Sequence, residues 1–250
     1  MTQPTRRRAP AAERTVRILD RLAAADGPQG VSDLARALEI PKSSIHGLCE
    51  TLTEAGVLIA GREGYQLGPR CLNWGAAYLA RSSLTREFER VLQADRRLED
   101  YTVTLSTLQD ADVVYLACRN AQKPLGITFQ TGMRLPAVYS ATGKAMLAAL
   151  PAPELAEILD LPWRAPFTPH GVESPQAFLR QAERWRGLGY AIDDGEIREG
   201  MVCIGAAVPS PDGRLRAGVA ISMTSAEARS DCLEALGAVV REIAAKLGGG

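Results

Sequence analysis

The spacing of apolar residues near the start of the chain predicts three short helices. The first covers residues 14–25, and the second begins at Ser32, a residue type that favours the N-cap position. Pro41 suits the first turn of the third helix, and Gly56 is expected to end it. This third helix has one apolar face, formed by Ile45, Leu48 and Leu52. Two short helices joined in this way are typical of a helix-turn-helix, whose second helix enters the major groove of DNA.

A two-stranded hairpin is predicted directly after the third helix, over residues 58–67. Short strand-like runs flank a tip that Gly61 and Gly64 bound. Arg62 lies in this tip, from which its side chain can reach a phosphate or the minor groove. A helical pair with a merely solvated polar face would explain the two helices by themselves. Three helices followed by a hairpin favour a winged helix-turn-helix that binds nucleic acid.

The candidate DNA-contacting side chains lie on the polar face of the third helix, at the start of the second and in the hairpin tip. They are Ser32, Lys42, Ser43, Ser44, His46, Thr51 and Arg62. The net charge of the chain is zero, and residues 1–70 hold 10 basic and 8 acidic side chains. Any DNA affinity must therefore come from a local basic patch. Residues 1–10 are predicted to form a disordered basic tail, which either follows phosphates or is simply solvated.

The pattern after residue 70 predicts a helical linker and then an α+β domain. The domains expected are a winged helix-turn-helix over 11–70, a linker over 71–100 with helices at 70–80 and 84–101, and a sheet domain over 101–250. Strands are predicted at 103–107, 113–116, 126–130, 190–192, 201–208 and 215–223. Helices are predicted at 142–150, 153–159 and 175–187, and the capping-box sequence at 224–227 is expected to begin a last helix that ends at 247.

Four segments carry a family resemblance. LARALEIPKSSIHGLCETLTEAGVL (34–58) and GYQLGPRCLNWG (64–75) resemble the DNA-binding half of the IclR-type bacterial transcription regulators. GMRLPAVYSATGKAMLAAL (132–150) and GYAIDDGEIREGMVCIGAAVP (189–209) resemble their C-terminal half, so the likeness covers nearly the whole chain. It implies a GAF/PAS-like effector-binding fold after the winged helix-turn-helix, and a regulator that binds a palindromic operator in double-stranded DNA as a homodimer or homotetramer. Gly47 departs from the family, which often has arginine there.

The same resemblance implies a pocket for a small-molecule effector in the C-terminal half, a small organic acid or a related metabolite. The positions that carry it are Ser140, Ala141, Thr142, Asp193, Cys203, Ala220 and Ser222. Ser140 to Thr142 begin a predicted helix, whose free N–H groups and dipole favour an anion. Each position also has a plainer interpretation, such as a core cysteine or a surface aspartate.

Other classes of protein find little support. No apolar run is long enough to span a bilayer, and five cysteines without paired spacing indicate reduced thiols, so we expect a cytoplasmic protein that meets no membrane. The two histidines are far apart, and the residues around Lys144 do not match a phosphate-binding loop, so neither metal nor cofactor is predicted. Two alternatives stay open: a thiol-based redox-sensing regulator, and a redox enzyme that uses Cys203 and Cys118.

Overall fold

The computed structural model describes residues 9–122, 125–210 and 217–249, and the chain divides into two units, Met1–Arg81 and Ser82–Gly250. Most of the predicted basic tail lies outside the described residues. The N-terminal unit contains α1 (Pro10–Ala23), α2 (Val31–Leu38), α3 (Lys42–Glu54), β1 (Leu58–Gly61), β2 (Gly64–Leu67) and α4 (Arg70–Arg81). Its core consists of apolar side chains from α1, α2, α3 and β1, among them Ile18, Leu34, Ile45, Cys49 and Leu58.

Two details of the N-terminal unit depend on its glycines. Gly56 has a φ of +70° directly after α3, so the predicted helix end is confirmed. The prediction that Ser32 caps α2 is wrong, because the N-cap is Gly30 and Ser32 lies inside the helix. The physical reason is a β-bridge between Gln29 and Tyr65, which keeps the chain extended up to Gly30 and makes the turn into the helix begin there.

The C-terminal unit is built on a six-stranded antiparallel sheet of strand order β5-β4-β3-β8-β7-β6. Its strands are β3 (Thr102–Gln109), β4 (Asp112–Arg119), β5 (Arg134–Pro136), β6 (Ala191–Asp194), β7 (Met201–Ala207) and β8 (Ala217–Thr224). Its helices are α5 (Ser83–Ala94), α6 (Ala141–Ala149), α7 (Ala152–Leu159), α8 (Pro175–Leu188) and α9 (Ser230–Gly248), with a 3₁₀ turn at Arg96–Leu98.

Each face of this sheet has its own apolar core. Side chains of α6, α7 and α8 pack on one face, with Tyr115, Cys203 and Ala220 among the strand residues they meet. Side chains of α5 and α9 pack on the other, against residues such as Val219 and Ile221. Neighbouring residues of a strand point to opposite faces, which explains why alternate positions of β8 belong to different cores. The predicted α+β class is confirmed.

Three predicted elements of the C-terminal unit are wrong. Residues 126–130 form no strand, because Gly126 at φ +71° and Gly132 at φ +86° bend the chain, and backbone hydrogen bonds to β4 begin only at Gly132. The helix predicted over 84–101 stops at Ala94 and is followed by the 3₁₀ turn. The capping-box sequence closes a turn in which Glu227 Oε2 accepts from the backbone N–H and the hydroxyl of Thr224, and α9 starts only afterwards.

Candidate functional site

Helix α3 presents most of the candidate DNA-contacting side chains to solvent. Ile45 and Cys49 are fully buried and seat the helix on the core of the N-terminal unit. Ser44 is half-buried on the border of the exposed face. The other candidates on α3 are all exposed: Lys42, Ser43, His46 and Thr51.

The first turn of α3 has backbone donors that no side chain of the N-cap residue satisfies. That residue is Pro41, and the first intrahelical hydrogen bond runs from Ile45 N to Pro41 O at 3.1 Å. The N–H groups of residues 42–44 precede that bond, so they have no acceptor within the helix. Such a helix start, with Lys42 at its first position, is suited to a phosphate group.

One turn further along, α3 has a contact between a histidine and a glutamate, and an open glycine. His46 Nε2 lies 3.4 Å from Glu50 Oε1, and both side chains are more than half exposed. Glu50 therefore shares the exposed face, although its side chain was not among the candidates. A methyl group at Gly47 would meet nothing within 4 Å, so the position that departs from the family is sterically free.

The hairpin and α2 supply the remaining two candidates. Arg62 is exposed in the two-residue connection between β1 and β2, and Ser32 is exposed on α2. The hairpin is anchored at its far strand, since Tyr65 exchanges two backbone hydrogen bonds with Gln29, at 2.9 and 3.0 Å. Arg70 at the start of α4 donates to Ala55 O at 2.6 Å, which fixes the chain after the hairpin to the end of α3.

All seven candidate effector residues line one small cavity in the C-terminal unit. Three adjacent strands explain this, because Asp193 is paired with Cys203 and Cys203 is paired with Ser222. Directly paired residues project to the same face, as do residues two apart, which adds Ala220. The N-terminus of α6 supplies the other three. The free volume is about 10 Å³, room for about one water molecule.

Helix α6 begins so close to the sheet because small residues allow it. A Cβ atom on Gly205 of β7 would lie only 2.5 Å from the carbonyl carbon of Ala141, so no larger residue fits there without displacing the helix. The hydroxyl of Ser140 caps the helix by accepting from Gly143 N at 3.2 Å. Thr142 is held by a hydrogen bond of 2.8 Å between its hydroxyl and that of Ser106 on β3.

The carboxyl group of Asp193 is the most perturbed acid in the cavity. Its Oδ1 accepts from Glu196 N at 2.7 Å and from Ile197 N at 3.3 Å, while its Oδ2 is buried and makes no hydrogen bond with the described residues. Burial raises the pKa of Asp193 to about 7, against the opposing effect of Lys144 and of the two N–H groups. Asp193 can therefore exchange a proton near neutral pH.

A buried ion pair behind the cavity was not foreseen. Lys144 on α6 is fully buried, and its ammonium group donates to Glu196 Oε1 and, at 3.1 Å, to Ile192 O. It also lies 5.1 Å from the centre of the Trp185 ring. Glu196 Oε2 accepts in turn from Val172 N at 3.2 Å. A lysine inside the apolar run of α6 was the only local signal, since the two partners are 52 positions apart.

The rest of the cavity wall consists of residues that the resemblance did not mark. They are Thr104, Tyr115, Phe129, Leu135, Ile197 and Met201. Phe129 and Tyr115 are in ring contact at 5.3 Å, and both precede α6 in the chain. A wider cleft of about 720 Å³ opens near Trp185, Arg186 and Arg241, but it contains none of the candidate residues.

Two cysteines of the C-terminal unit, Cys118 and Cys203, are poorly suited to form thiolates. Burial raises the pKa of Cys118 to about 11, and it raises the pKa of Cys203 well above its ordinary value, with the carboxyl of Asp193 adding to the effect. Cys203 Sγ lies 3.1 Å from Ser222 Oγ. Since the thiolate is the reactive form, this environment is unfavourable for redox chemistry at neutral pH.

None of the helices in the described part of the chain combines the length and apolar character that crossing a membrane requires. The histidine, cysteine and acidic side chains of the same residues form no group of three or more that could hold a metal ion.

Comparisons with known proteins cover both units. Residues 11–58 match the IclR helix-turn-helix domain, and residues 76–248 match the bacterial transcriptional regulator IclR C-terminal domain. The Cupriavidus necator protein named "Probable transcriptional regulator SauR" is 30% identical over 92% of this chain and 91% of its own length.

Two solved structures are also similar. The Agrobacterium tumefaciens repressor BlcR is 38% identical, with 97% of both chains covered and a TM-score of 0.63. An IclR homologue from Microbacterium hydrocarbonoxydans, solved as a complex with 4-hydroxybenzoate, is 24% identical, with a TM-score of 0.73 over 96% of this chain and 98% of its own. At that identity, the second likeness concerns the fold alone.

Proposed function

Because the chain belongs to the IclR family of bacterial transcriptional regulators, we propose that it is a ligand-responsive regulator of a metabolic operon. It binds a palindromic operator in double-stranded DNA as a homodimer or as a dimer of dimers, in the cytoplasm. A small organic acid held in the C-terminal unit changes that binding. The family and the relatives are regulators of transcription and not enzymes, so the interpretation of Cys203 and Cys118 as a redox enzyme is wrong.

The proposed DNA interface is the exposed face of α3 together with the hairpin tip. The first turn of α3 offers free N–H groups and Lys42 to one phosphate, and Arg62 reaches another or enters the minor groove. Ser43, Ser44, His46 and Thr51 then contact base edges or the backbone, and Ser32 contacts the backbone from α2. Glu50 is an added candidate, because a carboxylate on this face can accept from a cytosine amino group.

A homodimer fits both the operator symmetry and the surface of α4. Two recognition helices in successive major grooves require a twofold arrangement, so a palindrome implies two copies of the chain. Helix α4 exposes three large apolar side chains, Leu72, Trp74 and Tyr78, with 74%, 51% and 59% of their surface accessible. Trp74 and Tyr78 are four positions apart and share one face of the helix, and exposed apolar patches mark interaction surfaces. We assign the exposed apolar face of α4 to the interface between the two copies of the homodimer.

The observation that carries the effector assignment is the meeting of all seven candidate residues around one cavity. The start of α6 favours the carboxylate of an acid, and the hydroxyl of Ser222 offers a further hydrogen bond. The homologue from Microbacterium hydrocarbonoxydans binds 4-hydroxybenzoate, and the structure of BlcR is that of a repressor. By analogy, this chain represses its operon until an acid binds.

The size of the cavity supports a change of shape on binding. With room for about one water molecule, it admits an acid of several heavy atoms only if its walls move apart. An acid therefore binds an opened arrangement better than the closed one and shifts the population between them. If the two arrangements differ in DNA affinity, the coupling between the sites is typically about 1–3 kcal/mol.

The test is a fluorescence anisotropy titration of the full chain against the promoter region beside its own gene. A panel of small organic acids is added at fixed salt, and we expect one class of acid to change the operator Kd by roughly 5- to 150-fold. Ala220→Val adds two methyl groups to the cavity wall, so it should reduce this response while operator binding without acid persists. Operator binding that responds to no acid would contradict the proposal.

A further inference from the structure

The two carboxyl oxygens of Asp193 have very different surroundings. Oδ1 is fixed by the N–H groups of Glu196 and Ile197. Oδ2 is buried without a hydrogen bond to any described residue, and the side chain lines the cavity. Only 1% of the residue is exposed, so bulk water does not satisfy this atom. A buried polar atom without a partner is costly, and it indicates a missing partner in the cavity.

The one cation near this atom is already paired before any ligand binds. The titratable and charged groups that face Asp193 are Lys144 on α6, Glu196 in the turn after β6, Cys203 on β7 and Tyr115 on β4. Lys144 is the one cation among them, and its ammonium group is bonded to Glu196. None of the described residues that line the cavity is an arginine or a lysine. An added carboxylate would thus be a buried anion beside Asp193 without a cation of its own.

We propose that the effector acid binds together with one proton, which lies between Asp193 Oδ2 and an oxygen of the ligand. This inference rests on the proposed function, since it concerns the same cavity. The proton comes from solvent and leaves the buried net charge unchanged when an anion enters. A protonated carboxyl group is a donor, so Oδ2 then acquires the hydrogen bond that it lacks. The N–H groups at the start of α6 can donate to the ligand oxygen that keeps its negative charge.

Two physical arguments support protonation of Asp193. Two carboxylates that share one small site cannot both stay ionised, because each raises the pKa of the other. Burial has already raised the pKa of Asp193 to about 7, so part of the population carries the proton before the acid arrives. Near pH 7, about half of the population therefore carries the required proton before a ligand binds.

The consequence is a measurable link between pH and effector affinity. Above pH 7, each further pH unit should weaken binding by about tenfold, because the fraction of Asp193 that is protonated falls about tenfold. Between pH 6.0 and 8.5 the Kd should rise roughly 30-fold, and about one proton should be taken up per acid bound at pH 8. An acid bound without Asp193 protonation would show neither effect.

The experiment is isothermal titration calorimetry of the full chain with acetate, glycolate, pyruvate, lactate, benzoate and 4-hydroxybenzoate. Each acid that binds is titrated at pH 8 in HEPES and in Tris, whose different ionisation heats report the number of protons taken up. The primary amide of the same acid is the control ligand, since it has no charge to neutralise. We expect proton uptake for the acid and none for the amide.

Asp193→Asn is the matched variant, because asparagine resembles a protonated aspartate. Its Oδ1 can still accept from Glu196 N and Ile197 N, and its Nδ2 donates into the cavity without a proton from solvent. We expect its Kd to vary by less than about threefold between pH 6.0 and 8.5, with no proton uptake, because the variant lacks the carboxyl group whose protonation is linked to binding. Its affinity should be close to that of the wild type at pH 6.0.

The outcomes separate this inference from the proposed function. Binding of an acid without proton uptake, or a pH dependence that Asp193→Asn leaves unchanged, would overturn the proton-coupled mechanism alone. Failure of every acid to bind would overturn the effector assignment and this inference with it. If Asp193→Asn does not fold, the number of protons that the wild-type chain takes up still shows whether the acid binds with a proton or without one.

Discussion

The two units of the chain place the polar residues in and around their candidate sites in opposite environments. In the N-terminal unit they lie in water, where a pair such as His46 and Glu50 is screened and contributes little to folding. In the C-terminal unit Asp193, Lys144 and Glu196 are buried, and their charges act at close range in a weakly polarisable surrounding. A surface of the first kind suits a polyanion that approaches from solvent, whereas a site of the second kind suits a small ligand that must shed its water. Substitutions should accordingly affect affinity in one unit and stability in the other.

The largest effect is expected from Lys144→Met. Glu196 would then be a buried carboxylate without its cation, and breaking such a pair typically costs about 3–5 kcal/mol of the free energy of unfolding. Glu196→Gln added to the same chain should restore most of that loss, because no unpaired charge remains. Denaturant unfolding at pH 7 measures both variants. Lys42→Met, the same substitution on the exposed face of α3, is the control and should leave the free energy of unfolding nearly unchanged. Equal losses of stability in Lys144→Met and Lys42→Met would contradict the contrast between the two units.

The next effect is a dependence of stability on pH. The pKa of Asp193 is about 7 in the folded protein, against an ordinary value of 3.8 for an unfolded chain, so between these two pH values the folded state binds more protons than the unfolded one. The free energy of unfolding should therefore rise as the pH falls from 8 towards 5, by at most about 3 kcal/mol. Comparing the wild type with Asp193→Asn isolates this contribution from that of Glu196. A difference between the two chains that stays constant with pH would contradict the burial of an ionisable Asp193.

A smaller effect is expected at the DNA interface. Replacing Lys42 and Arg62 together by alanine should weaken operator binding by about 10- to 100-fold and reduce the salt slope of log Kd by about 2, one counterion per phosphate contact. Fluorescence anisotropy at several salt concentrations gives both quantities. The control is Arg180→Ala with Arg184→Ala, which removes the same charge from exposed positions of α8. If both double variants lose affinity alike, overall charge and not the α3 face is responsible.

The smallest effect is expected on stability, when a glycine in each unit is replaced by alanine. Gly47→Ala should raise the free energy of unfolding by about 0.5–1 kcal/mol, because the position is open and alanine favours a helix. Gly205→Ala should do the opposite, since its methyl group would meet the start of α6. Thermal unfolding of the two variants compares an exposed helix with a tightly packed sheet. Stabilisation by Gly205→Ala would mean that α6 does not approach β7 this closely.

Local patterns account for what was predicted correctly from the sequence. The amphipathic period of α3, the end at Gly56 and the hairpin around Arg62 all depend on residues within a few positions of one another. The strand predicted over 126–130 failed because its apolar residues are used for packing and not for pairing, as Phe129 shows by its contact with Tyr115. The helix expected at 224–227 failed because a capping-box sequence can also close a turn.

Predicting the residues of the cavity required a different kind of information, since they are distant in sequence. The family resemblance marked Asp193 and Cys203, which are ten positions apart and become direct partners because β6 and β7 form an antiparallel pair. The pairing of Lys144 with Glu196 has no such local origin, because a helix and a distant turn are brought together only by the complete fold. A lone lysine in an apolar helix raises the question of its partner, but the sequence by itself does not identify Glu196.

The strand order of the sheet has a consequence for how the chain is made. The strand β3 pairs with β8, so the centre of the sheet joins segments that are more than 100 positions apart. The N-terminal unit has all its strand partners within residues 29–67. During synthesis the unit proposed to bind DNA can therefore fold early, while the sheet must wait until β8 has left the ribosome. A growing chain should hence complete the surface proposed to bind the operator well before it completes the unit proposed to bind the effector.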